Sequence, residues 1–192
     1  MGILESGSII GIIGASVGVI ASGIVQYHVY KKQVQIDQKI TAGTKLLELS
    51  KKLHYSLSKV KVKHMQVSEI HLQRGNEFHY YVDFDDESEE CRQDITEIVM
   101  YRRMFSPFIA IEDKQTMQLF NAIDDYFIKI KDRNYTKNND SLNILSEQLD
   151  FIMNLNNILI YNIQYSMYEN IASKKFLFKK QNEPIYKPIN FQ

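Results

Sequence analysis

The sequence predicts an all-α fold, a single N-terminal transmembrane helix that continues into a cytoplasmic helical bundle. Three observations carry this expectation. Residues 6–30 contain no Asp, Glu, Lys or Arg. Pro and Gly are scarce after residue 75, where a many-turned β fold would need both. Apolar residues recur three and four apart over several long segments, the spacing of an amphipathic helix.

The uncharged run, SGSIIGIIGASVGVIASGIVQYHVY, sets the first element. A helix rises about 1.5 Å per residue and a bilayer core is about 30 Å thick, so a run of this length spans it. Lys31, Lys32, Lys39 and Lys45 follow the run and no Lys or Arg precedes it. The positive-inside rule then places the N-terminus outside and the rest of the chain in the cytoplasm. A single cysteine, Cys91, suits a reducing compartment and excludes an internal disulfide. Ala21-Ser22-Gly23 resembles a signal-peptide cleavage site, but the preceding segment carries Glu5 and no basic residue. Met1 to Ser6 fits the short myristoylation pattern, which a spanning helix makes redundant. The sequons at Asn134 and Asn139 would not meet the glycosylation machinery in a cytoplasmic domain.

Wound at about 100° per residue, this run gathers Gly7, Gly11, Gly14, Ala15, Gly18, Ala21 and Ser22 within roughly a third of the circumference. Ile9, Ile12, Ile13, Val17, Ile20 and Ile24 fill the rest, while Ser16 and Gly23 depart from the pattern. Gly7-x3-Gly11 and Gly14-x3-Gly18 are small-xxx-small pairs in phase, which let two membrane helices approach closely. Gly7, Gly11, Gly14, Ala15, Gly18 and Ser22 are therefore the candidate helix-packing face. The expected partners are the lipid bilayer and either further copies of the chain or another membrane protein. An uncharged span argues against a proton relay through one helix.

The organisation that follows is a short extracytoplasmic N-terminus (1–5), the span (6–30), a cytoplasmic helical domain (31–175) and an irregular C-terminal tail (176–192). Ile36, Ile40, Leu47, Leu53, Leu57 and Val60 continue the helical spacing, with Gly43 as a weak point. A heptad counted from Ile36 lands on Gly43, Ser50, His54 and Lys61, so the segment reads as an amphipathic helix packing on its own domain. Residues 58–84 are ambiguous. Ile70-His71-Leu72 and Phe78 to Phe84 alternate around Arg74-Gly75-Asn76, the pattern of a small hairpin near 70–84, but a helix to about Gln73 is favoured.

Three helices follow. The first is capped by Asp85 or Asp86 and carries Cys91, Ile95, Ile98 and Val99 towards Pro107. The second begins near Glu112 and shows Met117, Phe120, Ile123, Phe127 and Ile130. The third, capped by Asp140 or Ser141, carries the stripe Leu142, Leu145, Leu149, Ile152, Leu159 and Ile163, interrupted by Asn156. A stripe this long is the seam of a bundle.

Candidate chemistry is thin. His64, His71 and His79 lie among Glu69, Glu77 and Asp83 but lack the i, i+4 spacing of helical metal ligands, so no metal is expected. The acidic run from Asp83 to Glu90 reads as a solvated helix start, and Lys51, Lys52, Lys59, Lys61 and Lys63 as surface lysines. An intramolecular match between the two runs is the rival reading. Arg102 and Arg103 close a helix, complement its dipole and form the one candidate anion-binding pair. Cys91 sits on an apolar phase and reads as a small core residue.

Twenty-three basic and 23 acidic residues cancel, so no global field draws the chain to nucleic acid. No phosphate-binding loop, nucleophile elbow or dinucleotide fingerprint is present, and no cofactor is expected. The reading leans away from catalysis. It favours a membrane-anchored bundle acting by assembly through its glycine-rich face, for instance a membrane effector of a defence system. The alternative is a membrane-anchored enzyme or ligand sensor with a cytoplasmic site near Arg102 and Arg103.

Overall fold

The all-α class holds: among the described residues the chain forms four helices and no strand. They are α1 (Ile3–Arg74), α2 (Asp85–Met104), α3 (Asp113–Lys131) and α4 (Asn139–Tyr168). The computed structural model describes the backbone of residues 3–74, 83–132 and 139–168, without the side chains of 3–17, 20, 71–74 and 139. Among the described residues no helix is long and apolar enough to cross a membrane. Most of the expected span, 6–30, lies outside the residues whose side chains are described. The tail 176–192 lies outside the described residues altogether.

The chain divides into two compact units, Met1–Ile40 and Thr41–Gln192. In the first, the helix carries an exposed Gln33–Asp37 hydrogen bond of 3.0 Å, one turn apart. The second holds the rest of α1 together with α2, α3 and α4.

Helix α1 runs to Arg74, so Ile70-His71-Leu72 is helical and the suggested hairpin loses its first strand. Three alternating residues cannot compete with a helix that propagates by one hydrogen bond per added residue. The second strand of that hairpin, in 75–82, lies outside the described residues. Helix α2 starts one residue before its expected caps: Phe84 occupies the N-cap position, and Asp83 Oδ1 accepts the Asp85 N–H at 2.8 Å. Asp85, Asp86 and Glu87 fill the first turn, where the helix dipole favours acids.

Side-chain pairing sets the topology of the second unit. Lys63–Glu87, Lys59–Glu90 and Lys52–Asp94 fall in opposite order along α1 and α2, so these helices are antiparallel. Asp85–Lys131, Arg92–Asp124 and Arg102–Asp113 do the same for α2 and α3. Between α1 and α4, His64 reaches Leu142 and Asn156 reaches Ser50. The helices therefore alternate up and down in a four-helix bundle, with α4 returning to close on α1.

The core shows why the sequence folds this way. The buried residues of α1 fall on three rows spaced by seven: Gly43, Ser50, Leu57 and His64, then Leu46, Leu53, Val60 and Val67, and a shorter one of Ala42, Leu49 and Ser56. Helix α4 shows the same pattern, Leu142, Leu149, Asn156 and Ile163 beside Leu145, Ile152, Leu159 and Ser166, with Gln148, Leu155 and Asn162 as the shorter row. The heptad counted through Gly43 and Ser50 is thus the true seam, used inside the molecule. Helices α2 and α3 complete the core through Cys91, Ile95 and Ile98, and through Leu119, Ile123, Tyr126 and Phe127.

Gly43 is a point of close approach, not a weak point. A Cβ built there would stand 2.1 Å from Met167 Cγ and 3.3 Å from Ile109 Cδ1. Leucine at this position overfills the α1–α4 junction. Gly43→Leu is expected to destabilise the bundle by about 1–3 kcal/mol in a urea titration, and an unchanged midpoint would show that Met167 swings aside at no cost.

Candidate functional site

The best candidate for function is the first unit's helix. Val19, Ile24, Val25, Tyr27, Val29 and Tyr30 all stand exposed there, Val19 at 73% and Tyr30 at 69%. Gly18 and Gly23 would each meet nothing within 4 Å if given a Cβ, and Ser22 is exposed. Gly7, Gly11, Gly14 and Ala15 belong to the same continuous helix, but their surroundings lie outside the described residues. Large apolar side chains left bare along several turns call for a cover, since soluble surfaces rarely leave so long an apolar stretch uncovered. Small residues at Gly18 and Ser22 leave room for a second backbone.

At the α2–α3 turn, the arginine pair is already engaged. Arg102 Nε donates to Ile111 O at 2.9 Å and its NH1 to Asp113 Oδ1 at 2.7 Å. Arg103 is the more exposed of the two, with its Nε 3.9 Å from the same carboxylate. The Asp113 carboxylate already takes up Arg102, which acts here as a clasp on the turn. Tyr101 stacks on Phe105 at 5.8 Å, and Ala110 N–H donates to Ser166 Oγ of α4 at 2.9 Å, so the turn is held from both sides.

Among the histidines, His64 is buried, at 2% exposure, while His71 and His79 lie outside the described residues. His64 Nε2 lies 3.0 Å from Leu142 O and its Nδ1 3.3 Å from the Tyr126 hydroxyl. A carbonyl only accepts, so Nε2 carries the proton and Nδ1 takes the Tyr126 O–H. Burial holds the imidazole below its usual value, opposed by the Leu142 bond and the Asp150 charge. Among the described residues no three metal-binding side chains gather. Cys91 is fully buried, and burial pushes its thiol up to about 12, an unreactive core cysteine.

The two charged runs find each other. Lys59 pairs with Glu90 at 2.9 Å and Lys63 with Glu87 at 2.8 Å, so the intramolecular match replaces the reading of independent surface charges. Lys61 turns the other way and meets Asp150 of α4 at 2.5 Å. Sequence reasoning missed Asp94, which is wholly buried and held by Lys52 Nζ at 2.6 Å and Ser56 Oγ at 2.8 Å. The signal was available: Asp94 sits three residues after Cys91 and next to Ile95, on the apolar side of α2. No protein-family model, curated protein or solved structure matches this chain.

Proposed function

We propose that the protein is a membrane-anchored helical bundle that acts by assembly, through the small-residue face of residues 6–30. The partner is a further copy of the chain or another membrane protein. A membrane effector of a defence system is the concrete form of this reading, with the N-terminus outside and the bundle in the cytoplasm. The observation that supports it is the row of bare apolar side chains from Val19 to Tyr30 beside open space at Gly18. A membrane would cover the first, and a neighbouring helix would fill the second.

Replacing Gly11, Gly14 and Gly18 together by leucine is the direct test. The triple variant should still sediment with membranes but lose its detergent-resistant oligomers and the activity that depends on them. Ile13→Leu and Ile24→Leu, on the opposite face, should keep both. Oligomers and activity that survive the triple substitution overturn the assembly reading, and a wild-type chain that stays out of the membrane pellet overturns the anchor.

A further inference from the structure

The contact that closes α4 on α1 leaves three polar atoms unmatched. Asn156 Nδ2 donates to the Ser50 carbonyl at 2.9 Å, and both residues are wholly buried. Yet Asn156 Oδ1, Ser50 Oγ and the buried Nδ1 of His54 have no hydrogen-bond partner among the described residues. Native interiors rarely leave such atoms bare, because burial strips their hydration and an unmade bond returns nothing.

The three atoms belong to one junction. Ser50 and Asn156 are already in contact. His54 follows Ser50 by one turn, so the two share a face of α1, and helical side chains lean towards the preceding turn. That flank is turned to α4, since Lys61, seven residues beyond His54, pairs with Asp150. Turning the Asn156 amide over does not help. It would set Oδ1 against the Ser50 carbonyl, two acceptors face to face.

We propose that this junction is a binding site for one buried water, bonded to Ser50 Oγ, Asn156 Oδ1 and His54 Nδ1. Asn156 Oδ1 only accepts, the serine hydroxyl donates or accepts, and the ring nitrogen does one or the other with its tautomer. Water both donates and accepts, and about three bonds is its usual complement in protein interiors. An ion would find no counter-charge: Ser50 and Asn156 carry none, and Lys61 and Asp150 on the same flank satisfy each other. The residues that flank the junction along both helices, Leu53, Leu57, Leu149 and Ile152, are buried and apolar, with no group to hold a larger polar ligand. The water adds a second polar link between α1 and α4 beside the amide–carbonyl bond. The proposal does not rest on the membrane reading.

The test uses the full chain in a mild detergent. Oxygen-17 relaxation dispersion counts the long-lived waters inside a protein. The double variant Ser50→Ala with Asn156→Leu removes two of the three partners and should hold one such water fewer than the wild type. Asn162, further along α4, is also buried and unpartnered among the described residues, so the difference between the two chains is diagnostic and the total is not. If the variant fails to fold, a crystal structure of the wild type decides alone. A water within hydrogen-bond distance of Ser50 Oγ and Asn156 Oδ1 is expected there. An equal count in the folded variant, a junction without water, or a direct bond between the Ser50 and Asn156 side chains overturns the site.

Discussion

Lys52→Met is expected to destabilise the bundle by about 2–3 kcal/mol, several times what an exposed lysine usually contributes. The reason lies with its partner. Lys52 is half exposed, but the Asp94 carboxylate beneath it is 1% exposed. The Asp94 carboxylate also raises the Lys52 ammonium above its usual value. Without the lysine, Asp94 keeps only the Ser56 hydroxyl in a setting that cannot hydrate a charge. A second variant separates the pair from its parts. Lys52→Met with Asp94→Leu removes the charge along with its partner and should recover most of the loss. Lys59→Met, which unties the more open Glu90 and a ring contact with the exposed Tyr55, should leave the denaturation midpoint nearly unchanged. A Lys52→Met chain as stable as the wild type would show that the Ser56 bond suffices for Asp94.

Phe127→Ala should cost more, about 3–5 kcal/mol. Phe127 is fully buried and meets Tyr126 edge-on, with ring centroids 5.3 Å apart and planes at 80°. Alanine there removes a large apolar area and leaves a void that helix backbones cannot close. The neighbouring Ile128 is the control: it is 58% exposed, and Ile128→Ala should stay within about 0.5 kcal/mol of wild type. Urea unfolding followed by helical circular dichroism measures both. A small Phe127 effect would mean that α3 shifts as a body to fill the gap.

Much of the fold is legible in the sequence. The helices from Asp85, near Glu112 and near Asp140 appear at their expected places, because long 3-4 stripes and polar breaks leave few alternatives. The seam of α1 was harder to read for a physical reason. Its heptad row holds Gly43, Ser50 and His64, none of which carries the apolar signature of a core position. Glycine is there for closeness to Met167 and histidine for its bond to α4, while at position 50 the backbone carbonyl, not the hydroxyl, meets Asn156. Asn156 looked like an interruption of the α4 stripe and is one of its seam residues, with its Nδ2 donating to Ser50 O at 2.9 Å. The lysine and acid runs were visible as runs, but which lysine meets which acid depends on the antiparallel pairing of α1 and α2.

The candidate functional face was the part most open to sequence reasoning, since helix geometry alone aligns Gly7, Gly11, Gly14, Gly18 and Ser22. The anion-binding expectation at Arg102 and Arg103 took no account of Asp113, eleven residues further on, which the turn folds back against Arg102. Nearness of that kind comes from the shape of a turn, and composition does not carry it.

The Asn156–Ser50 bond links residues 106 apart in the chain, so it fixes the register in which the last helix closes on the first. At that moment a slip of one heptad would look nearly harmless. Leucines and isoleucines would still face leucines and valines, and little buried apolar area would be lost. His64 would lose the Leu142 carbonyl, and the Asn156 amide would register the error again. Moved level with Leu57 it would lie against a fully buried leucine, and level with Gly43 it would contest the space Met167 fills. The short Ser50 side chain leaves its carbonyl open, and that is where Asn156 fits. Asn156 and His64 thus work as a reading frame for the closure, rejecting slipped partners that hydrophobicity alone would accept.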